Sequence, residues 1–402
     1  MRTLRRILHK LSFLGPSFVA AVAYLDPGNF ATNFSAGSTY GYMLIWVVVV
    51  ANLMAMLIQY LAARIGILTG KTLAELIAER TSRPMRLLYW LQAQIVTIAT
   101  DMAEVVGGAV ALYILFRMPI VIGALVTVAI STLILLLQNR SWQQLFEWAI
   151  IAMVLAITGL IFWDLAASHP QALPLLAGLQ PKFDGKESLV LAAGILGATV
   201  MPHAIYAHSA LVRDRFGVIG EHKHNAMLKA TALDIVLSML IAGAVNGAMV
   251  VIAAAAFHGM PGGDTLEGAH HLISSVLGAG PALAFALALF IAGLASTTVG
   301  SYSGSVVMNG LLTIEVTPLV SRLVTAIPAV VILALGVDPT RTLVISQVVL
   351  SFGIPFVLIP LLTLTARRSV VARPLPKLVY WLAVVCTALI IALNIALLIS
   401  LV

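Results

Sequence analysis

The chain has 402 residues, 61% hydrophobic and only 10% charged, with a mean hydropathy of +1.04. A soluble protein carries about a quarter charged residues, so this composition excludes a soluble domain and reads as a polytopic membrane protein. The net charge of +7 does not point to nucleic acid, because the basic residues lie between apolar spans with no basic face or aromatic-basic motif. Cys386 is the one cysteine, which rules out a disulfide framework and a Cys-based metal site.

In chain order, Leu11 to Tyr24 behind Arg2, Arg5, Arg6 and Lys10 has the look of a signal-peptide apolar region. The tract runs on through Asp26 into further spans, which predicts an uncleaved first helix even though Ala21-Val22-Ala23 is a cleavage-like triplet. Apolar windows of about twenty residues fall near 13–33, 41–64, 87–114, 118–138, 146–167, 190–213, 231–257, 281–309, 320–337, 343–365 and 377–401. Eleven spans are therefore expected.

Lys and Arg set the orientation. With the N-terminus in the cytosol, the cytosolic side holds the four N-terminal cations, Arg64, Lys71, Arg80, Arg83, Arg86 and Arg140. Further along it holds Arg213, Arg215, Lys223, Lys229, Arg322, Arg367, Arg368, Arg373 and Lys377, and the outside keeps only Arg117, Lys182, Lys186 and Arg341. The C-terminus is then outside. The expected organisation is a single transmembrane domain with a first repeat at about 13–168, a second at about 188–366 and an additional helix at about 377–401. Five spans per half force the second half to be inverted in the membrane.

Two polar breaks interrupt the apolar helices at corresponding places, Asp26-Pro27-Gly28-Asn29 in span one and Met201-Pro202-His203 in span six. Paired breaks of this kind mark the binding site of inverted-repeat transporters, because free backbone groups and a carboxylate at membrane depth must face protein or water. A helical proline strips the carbonyl four residues earlier of its donor, so Pro27 frees the carbonyl of Ala23 and Pro202 that of Ala198. To these oxygens the first break adds the Asp26 carboxylate and the Asn29 amide, and the second adds the Met201 thioether. Oxygens alone would suit Mg²⁺ or Ca²⁺; one soft sulfur tilts the set toward Mn²⁺, Fe²⁺, Co²⁺ or Cd²⁺. Taken singly the features have plainer readings: a surface turn for Asp-Pro-Gly, core packing for the methionine, a helix cap for the histidine.

Asp101 and Glu104 in span three stand three residues apart on one helical face, and acids inside an apolar helix are candidates for proton movement. His203 and His208 in span six can exchange protons near neutral pH. Asp26, His203, Glu104 and Asp101 form an expected proton route to the cytosol, with Arg322 and Arg215 as candidate counter-charges. Structural ion pairing is the alternative. Asp234 is either membrane-buried or interfacial. His258, His270 and His271 share a predicted external loop with Asp264 and Glu267, and His222 and His224 a cytosolic one; solvated loops are expected. Gly300-Ser301-Tyr302-Ser303-Gly304 misses the intramembrane protease pattern, since Ser301 stands where Gly is required.

These residues resemble the Nramp family of divalent-metal transporters, closest to its bacterial proton-dependent manganese branch. The matching stretches are Gly15-Pro16 through Asn29 with Ala31-Thr32, Asn52 to Met56, Ala62-Ala63-Arg64 with Gly70, and Thr100 to Glu104. Gly197 to His203 with His208-Ser209, Asp338 to Arg341 and Ser346 to Ser351 complete them. The resemblance implies an all-α LeuT-like fold, a five-plus-five inverted repeat with helices one and six broken, and symport of Mn²⁺ or Fe²⁺ with protons. It assigns metal ligation to Asp26, Asn29, Met201 and the Ala198 carbonyl, with the Ala23 carbonyl in some states. It assigns proton movement to Asp26, His203, Asp101 and Glu104. Ala204, Gln94 and Gly353 depart from the common pattern, the last where many members carry a glutamine that approaches the metal.

The expected partners are a divalent ion, a proton and the lipid bilayer, with no cofactor, no nucleic acid and no obligate protein partner. A LeuT-fold carrier of another solute, such as an amino acid, is the alternative, although Asp26 would repel a carboxylate substrate. No His-Glu-x-x-His, Gly-x-Ser-Gly or paired catalytic aspartate is present, so no enzyme is expected. The expected location is a bacterial inner membrane.

Overall fold

The computed structural model describes residues 15–136, 143–312, 314–371, 373 and 375–401, and among them every long element is helical. Arg2, Arg5, Arg6, Lys10 and Arg140 lie outside the described residues. Helix α1 (Pro16–Val22) continues as a tight turn, Ala23–Leu25, and breaks at Asp26. After the break come α2 (Pro27–Tyr40), α3 (Ile45–Thr69), the short α4 (Leu73–Arg80), α5 (Arg83–Phe116), α6 (Ile120–Leu136) and α7 (Gln143–Ala167). The connecting helix α8 (Ala172–Ala177) leads to α9 (Gly185–Thr199), the second break, and α10 (Pro202–Phe216). The remainder is α11 (His224–Phe257), α12 (Leu266–Val276), α13 (Ala279–Leu312), α14 (Pro318–Ala334), α15 (Pro339–Ala366) and α16 (Lys377–Leu401).

Eight helical stretches among the described residues are long and apolar enough to cross a membrane. The stretch Pro16–Leu25 and the 17-residue α6 and α14 fall short by length, and α2 with α3 counts as one stretch, Pro27–Thr69, so length and composition support eight crossings where eleven windows are expected. Helix α12 is a departure: the predicted external loop holds a helix capped by the Thr265 side chain, which accepts from the Gly268 N–H at 3.0 Å.

Local chemistry starts and stops the helices. Prolines open α1, α2, α10, α14 and α15, where a missing N–H costs nothing. Thr72 and Glu75 form a reciprocal capping box on α4. Gly70, at φ 64°, takes the left-handed turn that ends α3.

Burial sorts the helices into layers. The most apolar stretch of α5 is 83% buried and that of α16 only 28%, so α5 is a central post and α16 a lipid-facing one. Helix α13 packs along α5 more extensively than any other pair, and the broken helices sit against this core.

Candidate metal site at the two helix breaks

The first break is held open by its own side chain. Asp26 has extended backbone, φ −78° and ψ 165°, and its Oδ1 accepts the Asn29 N–H at 2.8 Å, capping α2. Asn29 turns its amide nitrogen to Asn246 Oδ1 at 2.9 Å, and Asn33 donates to the same oxygen at 2.8 Å. Asn246 in turn donates to the Tyr24 carbonyl at 2.8 Å. One amide on α11 thus locks both sides of the break and leaves Asn29 Oδ1 buried without a hydrogen-bond partner.

The second break runs through Val200 and Met201, both non-helical, and no side chain caps α10. Ala23, Ala198 and Met201 are fully buried, as is Asp26, and Asn29 is 1% exposed. The site is closed on every side.

Two helices bind the breaks together. Helix α15 passes them closely, by side chain at one and by backbone at the other: a Cβ on Gly28 would lie 1.8 Å from Gln347 Nε2, and one on Gly197 would lie 2.1 Å from the Gln347 carbonyl. Gln347 donates to Asp26 Oδ2 at 3.4 Å, and its own Oε1 has no hydrogen-bond partner. A tenth-span glutamine, missing at Gly353, is therefore present six residues earlier, while Gly353 packs against Val96, Gln92 and Pro202. Helix α5 joins the breaks from the other side. A Cβ on Gly107 would lie 2.0 Å from Pro27, and Thr100 Oγ1 is 3.1 Å from His203 Nδ1.

The acid pair lies beside that contact. Asp101 and Glu104 are fully buried, and Gly300 of α13 stands so close that a Cβ there would be 3.2 Å from Glu104 Oε1 and 3.4 Å from Asp101 Oδ1. Arg322 is equally buried, 3.3 Å from Asp101 Oδ1, and donates to Ser131 Oγ at 3.0 Å. It is a countercharge within the helix bundle and not one of the cytosolic loop cations. Thr325 donates to Asp101 Oδ2. Both Glu104 oxygens lack hydrogen-bond partners.

The other expected route members are placed elsewhere. Arg215 pairs with Glu147 of α7 at 3.1 Å, away from Asp101 and Glu104. His208 bonds Gln59 Oε1 at 2.6 Å and Ser17 Oγ at 3.3 Å. Asp234 is 1% exposed and accepts the Ser17 N–H at 3.1 Å, so it is buried rather than interfacial. Of the loop histidines, His258 bonds the Ser38 carbonyl at 2.9 Å, and His270 faces the Phe285 ring at 6.4 Å. No cluster of three or more His, Cys, Asp or Glu side chains exists among the described residues.

The two breaks offer a hard carboxylate, two amide oxygens and a thioether, all buried. Orphaned buried acceptors are rare and call for a partner, and a cation is the partner that two such oxygens beside a carboxylate would suit. Asn246, Gln347 and Thr325 do not stand out by motif or spacing; each is a lone polar side chain within an apolar span, the available signal.

The family model described as natural resistance-associated macrophage protein-like matches residues 17–400. A divalent metal cation transporter of Mycobacterium tuberculosis is 51% identical over 358 residues, covering 89% of this chain and 84% of its own. One from Bacillus subtilis is 43% identical over 399 residues, covering 97% and 92%. A crystal structure of a manganese transporter from Eremococcus coleocola superposes with a TM-score of 0.85 at 28% identity, covering 96% of this chain and 85% of that one. These relatives are named as transporters, not enzymes, and the structural match gives the chain the all-α LeuT-like fold that the resemblance implied. With the family model spanning nearly the whole chain and both breaks within it, the protein belongs to the Nramp family.

Proposed function

We propose that the chain is a secondary transporter that imports divalent transition-metal ions, Mn²⁺ and Fe²⁺ foremost with Cd²⁺ and Co²⁺ also accepted, by proton symport and alternating access. The observation that carries this reading is the pair of orphaned amide oxygens, Asn29 Oδ1 and Gln347 Oε1, on residues that hydrogen-bond the buried Asp26 carboxylate. The buried Met201 thioether supplies the soft donor. The names of the relatives point the same way.

In this reading Asp26, Asn29, Met201 and the Ala198 carbonyl hold the ion, with Gln347 added to the set and the Ala23 carbonyl engaged in some states. Asp26, His203, Asp101 and Glu104 move the proton, and Arg322 balances the acids. The eleven spans form two inverted repeats and an appended helix in a bacterial inner membrane, N-terminus in the cytosol and C-terminus outside. A divalent ion is already drawn inward by about 4.6 kcal/mol at 100 mV, twice the 2.3 kcal/mol per unit charge, so protons tune the cycle as well as drive it.

The test is Mn²⁺ uptake into proteoliposomes containing an internal pH dye, comparing the native chain with Asp26→Ala. Uptake with internal acidification, both lost in the variant, is expected. Uptake without acidification would reduce the acid pair to structural pairing, and no uptake by the native chain would return the reading to another solute such as an amino acid.

A further inference from the structure

Where α4, α5 and α15 come together at the end assigned to the cytosol, a cavity of about 170 Å³ opens far from both breaks in sequence. Arg80, the last residue of α4, and Arg367, the first past α15, both line it. Its floor is apolar, formed by Ile77, Ile359, Pro360 and Leu364. Tyr89 and two threonines complete the lining. The threonine hydroxyls are already committed as donors, Thr81 to the Ile77 carbonyl at 2.7 Å and Thr363 to the Pro360 carbonyl at 3.0 Å. The donors left to meet a ligand are the two guanidinium groups and the Tyr89 hydroxyl.

Neither arginine has a carboxylate to itself. Arg80 stands 3.5 Å from Glu79, whose carboxylate is engaged more closely by Lys71. Arg367 makes no ion pair among the described residues. Arg83, Arg86 and Arg368 follow within a few residues in sequence and deepen the positive field. Two guanidinium groups beside one small cavity, Arg367 without an ion pair among the described residues and Arg80 sharing Glu79 with Lys71, make an anion site, and a phosphate suits their forked donors.

The cavity's surroundings choose among phosphates. Ile359 in its floor is 48% exposed, and on neighbouring turns Phe356 of α15 and Leu87, Leu88 and Leu91 of α5 are 45–52% exposed. In a membrane protein such apolar surface faces acyl chains. A ligand with an anionic head and an apolar tail satisfies both halves, whereas free phosphate satisfies one. Basic pockets between helices on the cytosolic side are known to seat such head groups.

We infer that this cavity binds an anionic phospholipid, its phosphate between Arg80 and Arg367 and an acyl chain along the outer faces of α5 and α15. The lipid then ties together the cytosolic ends of the two helices that touch both breaks at membrane depth.

Native mass spectrometry of the full chain with added phosphatidylglycerol or phosphatidylcholine tests this. Each arginine should contribute about fivefold, so the anionic lipid should be retained roughly 25-fold more tightly. Arg80→Gln with Arg367→Gln should bring the two lipids to within about twofold. The corresponding double lysine variant should keep most of the preference, and Arg117→Gln with Arg341→Gln at the opposite end should keep all of it. The inference is overturned if the native chain shows no preference or if the double glutamine variant retains it. Displacement of the bound lipid by millimolar inorganic phosphate would overturn it too, marking a free-anion site instead.

Discussion

His203 and His208 lie five residues apart on α10, both buried to 2% exposure or less, yet their surroundings have opposite chemistry. Thr100 Oγ1 lies 3.0 Å from the Val96 carbonyl and 3.1 Å from His203 Nδ1, and that one contact is the only side-chain bond His203 makes among the described residues. His203 Nε2 has no hydrogen-bond partner. On the same helix as Thr100, Asp101 is paired with Arg322, and Glu104 keeps both carboxylate oxygens without a hydrogen-bond partner. At His208 both ring nitrogens are engaged: Gln59 Oε1 accepts from Nδ1–H, and Ser17 Oγ faces Nε2. Gln59 passes the chain on to the Tyr24 hydroxyl. One region is saturated and holds α1 in place; the other leaves valences open. Identical residues in one helix are thus assigned by their neighbours, not by their own chemistry.

The comparison breaks most readily at its charged end. Arg322→Met leaves Asp101 buried without its cation, a loss of about 3–5 kcal/mol visible as a lowered thermal midpoint in detergent. Adding Asp101→Asn should recover most of it. An Arg322→Met protein as stable as the native one would mean that the acid pair is not charged as described. On the saturated side, His208→Ala strands Gln59 Oε1 and should cost about 1–3 kcal/mol, while the pH dependence of uptake per folded molecule stays unaltered. His203→Ala removes one hydrogen bond from a threonine that keeps another. Its stability cost should be the smallest, about 1 kcal/mol or less, but protons entering per Mn²⁺ should fall when read with an internal dye. If instead His203→Ala destabilises as His208→Ala does and coupling stays intact, the two histidines have the same role and the contrast fails.

Proline and polarity make the two breaks legible in the amino-acid order alone, because Asp-Pro-Gly-Asn and Met-Pro-His cannot continue an apolar helix. The Asp101–Glu104 face follows from three-residue spacing. Gln347 and Asn246 do not emerge in the same way, since Gln59, Asn52 and Asn394 are equally conspicuous amides in apolar spans and only tertiary packing selects among them. A place near a helix end points Arg215 toward the acids; which neighbour such a side chain faces is decided by α7, which brings Glu147 to it. Helix α12 is hidden for a different reason: Leu266, Ala269 and Ile273 give it a buried face at helical spacing, but its 11 residues are too few for a search by apolar windows of about twenty residues.

Closure of the Asp26–Met201 enclosure bears on throughput. On the proposed reading, an ion held among these buried residues would leave only when their packing opens, and α15, which meets the breaks at Gly28 and Gly197, is the helix placed to move. Collective helix movements take microseconds to milliseconds, which caps each molecule at about 10³–10⁶ ions per second. Electrical recordings should therefore show a smooth summed current that scales with protein copies, with no unitary steps of the kind an open pore produces.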